Sequence, residues 1–403
     1  MRFSVFVICL IVLNASTAIS ETGKAHYYFG AGAPFYNTHE LLSESMISLD
    51  KLTLYGLRSF DEKIEATTNP WLSAGYRIVR SIGVDLPISI YAAEISHEVF
   101  GHGFPSKNYG GNIDSINIGF PPIPYDLDYR SSTRISGANV PADIFEEWSN
   151  HQKANGIQVE YSMSHLVKNK FWQTGTVDYD LSILLLKTAY APGWYALFDS
   201  PEAFEEGDVD SSNDIAAIAA RYSNESGEHY SAGEIRDRTF LYNSLNPLVL
   251  WSWYGVLNYM ATGESKTKLP YISVFDVQWL PGLSYSITGY GEEYLLSNYF
   301  RTKGGRSGSF EIGLGSVDNE YRASIMVDDL LGGSDSEFDL GAELHYWEQR
   351  KTGTAGFIDL NYYLFGSKST GIHLKVGYKS FGFLRGYGLK KGIIGSFGFV
   401  YRL

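Results

Sequence analysis

Between Glu94 and Gly103 the chain reads Glu-Ile-Ser-His-Glu-Val-Phe-Gly-His-Gly, and nowhere else do two imidazoles and two carboxylates stand so close together in sequence. A histidine followed directly by a glutamate, with a second histidine further along the same helix, is how zinc hydrolases hold their metal. The imidazoles are ligands and the carboxylate takes a proton from the attacking water. In the common form the histidines are four apart and share one face of an α-helix. Here His97 and His102 are five apart, which on a regular helix would splay the rings by about 140°. One π-turn would bring both rings back to one face, and Gly101, lacking a Cβ, is where that distortion costs least.

His97, Glu98, Gly101 and His102 resemble the H-E-x-x-G-H signature of the dipeptidyl peptidase III family, zinc peptidases whose motif carries the same one-residue insertion. The resemblance covers these six residues. It implies Zn2+ held by His97 and His102, Glu98 as the general base, and a peptide or protein substrate. That family takes its third metal ligand from an E-E-x-x-x-E run on a later helix. In this chain Glu146-Glu147 opens such a run, on a segment (140–153) that reads as a helix with Pro141 in its first turn and Ile144, Phe145 and Trp148 on its apolar side. The run ends in His151 where the family has an acid. Glu147 is the expected third ligand, with Glu146 and His151 as alternatives. Glu94, three positions before His97, can orient a ligand but not reach the same ion. Tyr125 and His165 are candidates for steadying an oxyanion.

The elements that must position these groups read as two regions behind a leader. Residues 1–20 have a signal peptide's organisation: Arg2, an apolar run from Phe3 to Leu13, then small residues from Ala15 to Ala18. Cys9 lies within the apolar run, so the expected mature chain has neither a disulfide nor a thiolate metal site. A net charge of −13 argues against a nucleic-acid surface. Residues 21–268 read as a mostly helical, metallopeptidase-like domain. Its apolar stretches 181–198 and 245–261 are interrupted and short of the roughly 20 residues of a membrane-spanning helix. The acidic stretch Asp199–Asp214 reads as a solvated loop.

From residue 269 to Leu403 the pattern changes to segments of alternating polarity. Phe338, Leu340, Ala342, Leu344 and Tyr346 alternate with Asp339, Glu343 and His345, and Ile372, Leu374, Val376 and Tyr378 with His373, Lys375 and Lys379. This region resembles a bacterial outer-membrane β-barrel, of about eight antiparallel strands, with apolar residues toward lipid and charges inward. A soluble sandwich or lipocalin-like barrel is the alternative. The expected fold class is therefore α+β, a helical metallopeptidase-like domain followed by an antiparallel β-barrel. The expected protein is an exported zinc peptidase of the Gram-negative outer membrane, its helical domain in the periplasm and its partners peptide and outer-membrane lipid, with no nucleic acid. Two other readings stand beside it: a non-enzymatic barrel (adhesin, channel or assembly factor) with a periplasmic cap, and an intramembrane peptidase resembling site-2 proteases.

Overall fold

Helix starts in this chain carry identifiable caps. Asn69 accepts from the Trp71 N–H ahead of Pro70, and Asp178 accepts from Asp180. Ser231 and Glu234 form a reciprocal capping box, and Asn246 accepts from Leu248 ahead of Pro247. The computed structural model describes residues 26–32, 39–65, 69–119, 131–137, 139–198, 214–316, 320–331, 336–349, 351–364, 370–385, 387 and 391–402. The expected leader 1–20, the candidate Tyr125 and residues 199–213 of the acidic stretch lie outside these.

In chain order the elements are β1 (His26–Gly32), α1 (His39–Glu65), α2 (Pro70–Arg80), α3 (Leu86–Ile95), α4 (Phe104–Asn108), β2 (Asn112–Asn117) and β3 (Ser132–Ser136). Then come α5 (Phe145–Thr174), β4 (Thr176–Asp178), α6 (Tyr179–Ala189), α7 (Ala191–Phe198), α8 (Asp214–Ser226), α9 (Ala232–Ser244) and α10 (Pro247–Thr262). The strands β5 (Lys266–Lys268), β6 (Ile272–Val274), β7 (Val277–Ile287), β8 (Glu292–Thr302), β9 (Ser307–Gly315) and β10 (Tyr321–Leu331) follow, with β11 (Phe338–Glu348), β12 (Thr352–Tyr363), β13 (Thr370–Lys379) and β14 (Gly392–Arg402) last. Two π-helical stretches, Ser81–Asp85 and Ser96–Gly103, flank α3.

The fold is α+β, and its sheet is open. The ten strands run β1-β14-β13-β12-β11-β10-β9-β8-β7-β6, each pair antiparallel, and β1 and β6 are edges that do not meet. This corrects the expectation of a closed barrel, and the reason lies at the two edges. On one side the Tyr28 N–H of β1 donates to Ser48 Oγ of α1 at 2.9 Å. On the other, β6 covers β7 only as far as Trp279. Beyond it, the Asn243 side chain of α9 receives the Tyr285 N–H at 2.8 Å and donates to the Tyr285 carbonyl at 3.3 Å. Asn246, besides capping α10, donates to Ser284 Oγ at 3.1 Å. Helical side chains thus take up edge groups that another strand would otherwise satisfy.

Polarity in the sheet is inverted relative to a water-soluble domain. Cross-strand rows such as Leu340, Leu360, Leu374 and Phe397 occupy one face. Leu344, Ile358, Leu374 and Phe397 on that face are exposed. The opposite face carries buried charge matched by ion pairs: Arg322 to Glu293 and Glu311, and Lys375 to Glu343 at 2.7 Å and to Glu40 of α1 at 3.0 Å. Against this polar face lies α5, a 30-residue helix whose sequence periodicity fades after residue 153 because polar and apolar sides alike are enclosed. Lys168 reaches Ser284 and Gln158 reaches Ser286 across the gap. Apolar contacts join helices and strands too, in a cluster that includes Val167, Phe171, Leu184, Leu248, Leu280 and Tyr299.

Asn243 is buried, and its amide also donates to the Ala189 carbonyl at 2.7 Å. Asn243→Ala is expected to lower unfolding stability by about 2–4 kcal/mol, because it strands buried backbone groups on β7 and α6. Asn258→Ala, on a more exposed face of α10, should stay within about 0.5 kcal/mol. Equilibrium denaturation of both variants checks this.

Candidate metal centre

The five-residue spacing of His97 and His102 is accommodated by the π-helix Ser96–Gly103. The wider turn places both rings on one side, with Nε2 of His97 and Nε2 of His102 3.1 Å apart. Both rings are buried. Each is oriented from behind: His97 Nδ1 is 2.9 Å from Glu160 Oε1 of α5, and His102 Nδ1 is 2.9 Å from the Gln152 carbonyl. With the Nδ1 hydrogens donated to these acceptors, both Nε2 lone pairs face the same point.

The third group at that point is Asp214, the first residue of α8. Its Oδ2 lies 2.9 Å from His102 Nε2 and 3.3 Å from His97 Nε2. These three side chains form a buried cluster that could hold a metal ion. The fit is chemical as well as geometric. Two imidazole lone pairs and a carboxylate oxygen repel one another unless positive charge lies between them, and donors at tetrahedral positions about 2.0–2.1 Å from one ion are separated by about 3.3 Å.

The site favours positive charge. Burial by itself pushes the His97 ring down. Its hydrogen bonds with Asp214 and Glu160, and the charges of Glu160 and Glu98, outweigh burial and hold it well above the ordinary imidazole value. Burial pushes the Asp214 carboxyl up, yet the two histidines hold it well below the usual carboxylate range. Glu98 is buried, and its Oε2 has no hydrogen-bond partner among the described residues. Its backbone carbonyl is fixed by Thr133 Oγ1 of β3 at 3.0 Å.

The helix face that carries the site can approach α5 only because glycine meets glycine. A Cβ on Gly101 would lie 2.4 Å from Gly156 Cα, and a Cβ on Gly156 would lie 2.3 Å from His97 Nε2. Behind Glu160, Lys187 of α6 bonds to its Oε2 at 3.1 Å and pairs with Glu94 at 3.4 Å. Glu94 therefore acts at two removes, through Lys187 and Glu160, and does not touch a ligand ring directly.

The π-turn brings His97 and His102 together, with Glu98 buried next to His97 in the chain, but the acid that joins the two rings is not the expected Glu147. Glu147 pairs with Lys351 at 2.8 Å, Glu146 is exposed, and His151 stacks on Phe383 and meets Tyr290 edge-on. The first turn of α5 points toward the sheet, and Asp214 stands where an acid from that turn was expected. Asp214, read in the sequence as the end of a solvated loop, is instead a buried residue at a helix start, within hydrogen-bond distance of both histidines. His165 lies near Glu311 of β9 at 4.0 Å and Asn169 at 3.1 Å, among the polar groups between α5 and the sheet. Sequence reading missed Asp214, Glu160 and Gly156. Gly156 alone left a signal, a glycine in the interior of a long helix, where it costs about 1 kcal/mol relative to alanine unless a close approach requires it.

Comparison with protein families, with curated proteins and with solved structures finds no match for this chain.

Gly156→Ala is expected to displace the His97 ring and weaken metal binding by at least about 10-fold, the scale of disturbing a ligand's support. Titration of the purified protein against a chromophoric chelator measures this. Unchanged affinity would show that the glycine contact does not seat the ring. Glu147→Ala should leave affinity unaltered.

Proposed function

We propose that this chain is a zinc-dependent hydrolase of the bacterial cell envelope, cleaving peptide bonds, with Glu98 as its general base. The observation that carries this reading is the convergence of His97, His102 and Asp214; Glu98, next to His97 in the chain, is buried, its charge acts on the His97 ring, and its Oε2 makes no hydrogen bond among the described residues. Two imidazoles and one carboxylate are the donor set of catalytic zinc, where three protein ligands leave a position for water or substrate, whereas structural zinc takes four protein ligands. No thiolate is among the three donors, which favours this borderline ion over softer ones.

Zinc, when bound, supplies a Lewis acid that acidifies water and polarises a carbonyl. The chain's own residues do the rest. Glu160 and the Gln152 carbonyl hold the two rings in the tautomer that presents Nε2. Glu98 Oε2 accepts one proton from water as its oxygen bonds to the scissile carbonyl carbon. Glu98 then returns that proton to the amide nitrogen as the C–N bond breaks, so that a carboxylic acid and an amine leave. The outward apolar face of the sheet supports an outer-membrane location, as the alternating strands led us to expect.

Purified wild-type protein should carry about one zinc per chain, lost in His97→Ala, His102→Ala and Asp214→Ala. Glu98→Gln should keep its zinc and fold but lose about 100- to 10,000-fold in turnover, because the amide cannot accept the proton. Glu94→Gln, acting through Lys187 and Glu160, should lose no more than about 10- to 100-fold. Cleavage of a mixed peptide library read by mass spectrometry compares the three without a known substrate. Equal cleavage by wild type and Glu98→Gln would remove Glu98 from the mechanism, and zinc loss in that variant would make it a ligand.

A further inference from the structure

Helix α1 packs on edge strand β1, α10 on β7 and α2 on α10, and the polarity of these three is the reverse of a soluble amphipathic helix. On α1 Leu49, Leu52 and Tyr55 are exposed, with Thr53 and Gly56 beside them, while Asp50, Lys51, Arg58 and Asp61 are buried. On α2, Trp71 is 87 % exposed and Val79 70 %, whereas Arg77 and Arg80 are buried. In α10, which contains no charged residue, Leu250, Trp253, Tyr254 and Leu257 form an exposed stripe at helical spacing. A helix at a protein–water surface buries its apolar stripe and exposes its charges. These three do the opposite, as does the sheet they adjoin.

The buried charges have partners within the protein. Lys51 bonds to Asp178 at 2.6 Å and Asp180 at 2.7 Å, Arg58 to Asp180 at 2.9 Å and Arg80 to Asp85 at 3.0 Å. Other contacts join the helices to one another and to the strands in a ring. Ser48 of α1 holds the β1 edge, and Tyr76 of α2 donates to Asp61 of α1 at 2.6 Å. Arg77 of α2 donates to the Met260 and Ala261 carbonyls at the end of α10, and Asn246 at the start of α10 reaches Ser284 of β7. Gly282 lets α10 come this close, since a Cβ there would lie 2.7 Å from Asn246 Nδ2.

From this we infer that α1, α2 and α10 are a helical sector of one continuous lipid-facing wall, which closes around the polar interior where the strands leave it open. The occupant of the outer surface is the hydrocarbon of a bilayer. Hydrocarbon offers no hydrogen bonds, so it excludes open sheet edges unless protein covers them, and here Ser48 meets the Tyr28 N–H on one edge and Asn243 the backbone of Tyr285 on the other. Between their ends, the outward positions of β11 to β13 (Leu340, Ala342 and Leu344; Ile358 and Leu360; Leu374 and Val376) carry no charge. Lengths agree as well. Strands β11, β12 and β13 have 11, 12 and 10 residues, against about 9–11 for a tilted transmembrane strand. The 16 residues of α10 extend about 24 Å, close to the apolar band of about 25 Å on outer-membrane barrels. No described helix is long and apolar enough to cross a membrane by itself; the strands cross, and the helices complete the wall. This goes beyond the sequence expectation, which placed the helices in a periplasmic domain.

The sequence has a single cysteine, Cys9, so a Cys9→Ser full-length chain is a clean background for spin labels. Single cysteines would replace Leu52, Val79 and Leu257 on the helices, and Ile358 and Leu374 on the sheet, with the chain reconstituted in phosphatidylethanolamine–phosphatidylglycerol vesicles. Power-saturation spectra with oxygen and with a water-soluble nickel chelate then report what each label faces. All five positions are expected to favour oxygen over the chelate by several-fold. A chelate preference at 52, 79 and 257 alongside oxygen preference at 358 and 374 would overturn the helical sector and leave the sheet in the membrane. Low access to both reagents at the helical positions would mean protein, such as a second copy, covers them, and would also overturn it. Chelate preference at all five would overturn the lipid wall and the outer-membrane location together. The unlabelled protein gives an independent check: brominated lipid should quench tryptophan fluorescence, and less so in the Trp71→Phe/Trp253→Phe double variant. Equal quenching with and without these two indoles would contradict the inference.

Discussion

Where the π-helix crosses α5, two glycines allow backbone to approach backbone: a Cβ on Gly101 would stand 2.4 Å from Gly156 Cα. That contact sets the depth of His97, which lies over Gly156, and so decides whether its Nδ1 can meet Glu160 on the same face of α5. The extra residue in the π-turn then brings His102 round to the same point. Asp214 meets a pair already oriented from behind by α5, through Glu160 for one ring and the Gln152 carbonyl for the other. The conformational entropy lost at a mid-helix glycine, about 1 kcal/mol, is the cost of bringing the two rings and the Asp214 carboxylate this close together.

A polar α5 is stable in the interior because the sheet presents charge to it, and the sheet can present charge inward because its apolar residues lie outward. The two facts are one arrangement. Glu40, Glu44, Lys168 and Lys170 of the helices are met by Lys375, by one another or by serines of the strands. Buried ions left without partners would cost several kcal/mol each, so this polar interior holds α1, α5 and the sheet in a particular register. The same demand leaves room for helices at the edges, where Asn243 and Ser48 serve backbone groups that a closing strand would have taken.

Much of this was legible in the chain, and the rest was hidden for physical reasons. His97, Glu98 and His102 are close in sequence, so their spacing alone required a π-turn at Gly101. The long strands from Val277 onward announce themselves by period-two alternation, because each has one face outward and one inward. Asp214 could not be read this way. It follows an acidic stretch whose composition looks like solvated loop, and it is separated from His102 by more than a hundred residues, so only tertiary structure brings it to the histidines. The acidic start of α5 was the nearer candidate, but its first turn faces Lys351 and the sheet. Nor could the open sheet be foreseen: β1 pairs with β14 from the far end of the chain, and side chains, not strands, terminate the edges. The inward charges of the helices around the gap were hidden for a related reason. Their charged residues suggest a face to water, and only the fold shows that those charges point inward.

The proposed chemistry requires that His97, His102 and Asp214 share one metal ion. Zinc-edge X-ray absorption on the purified full-length protein tests that directly, since imidazoles and carboxylates scatter distinguishably. The expected wild-type spectrum has two imidazole nitrogens and at least one oxygen at about 2.0–2.1 Å, with no zinc retained by His97→Ala and the carboxylate contribution altered in Asp214→Asn. Zinc surrounded by oxygen alone, or a spectrum unchanged by both substitutions, would contradict it.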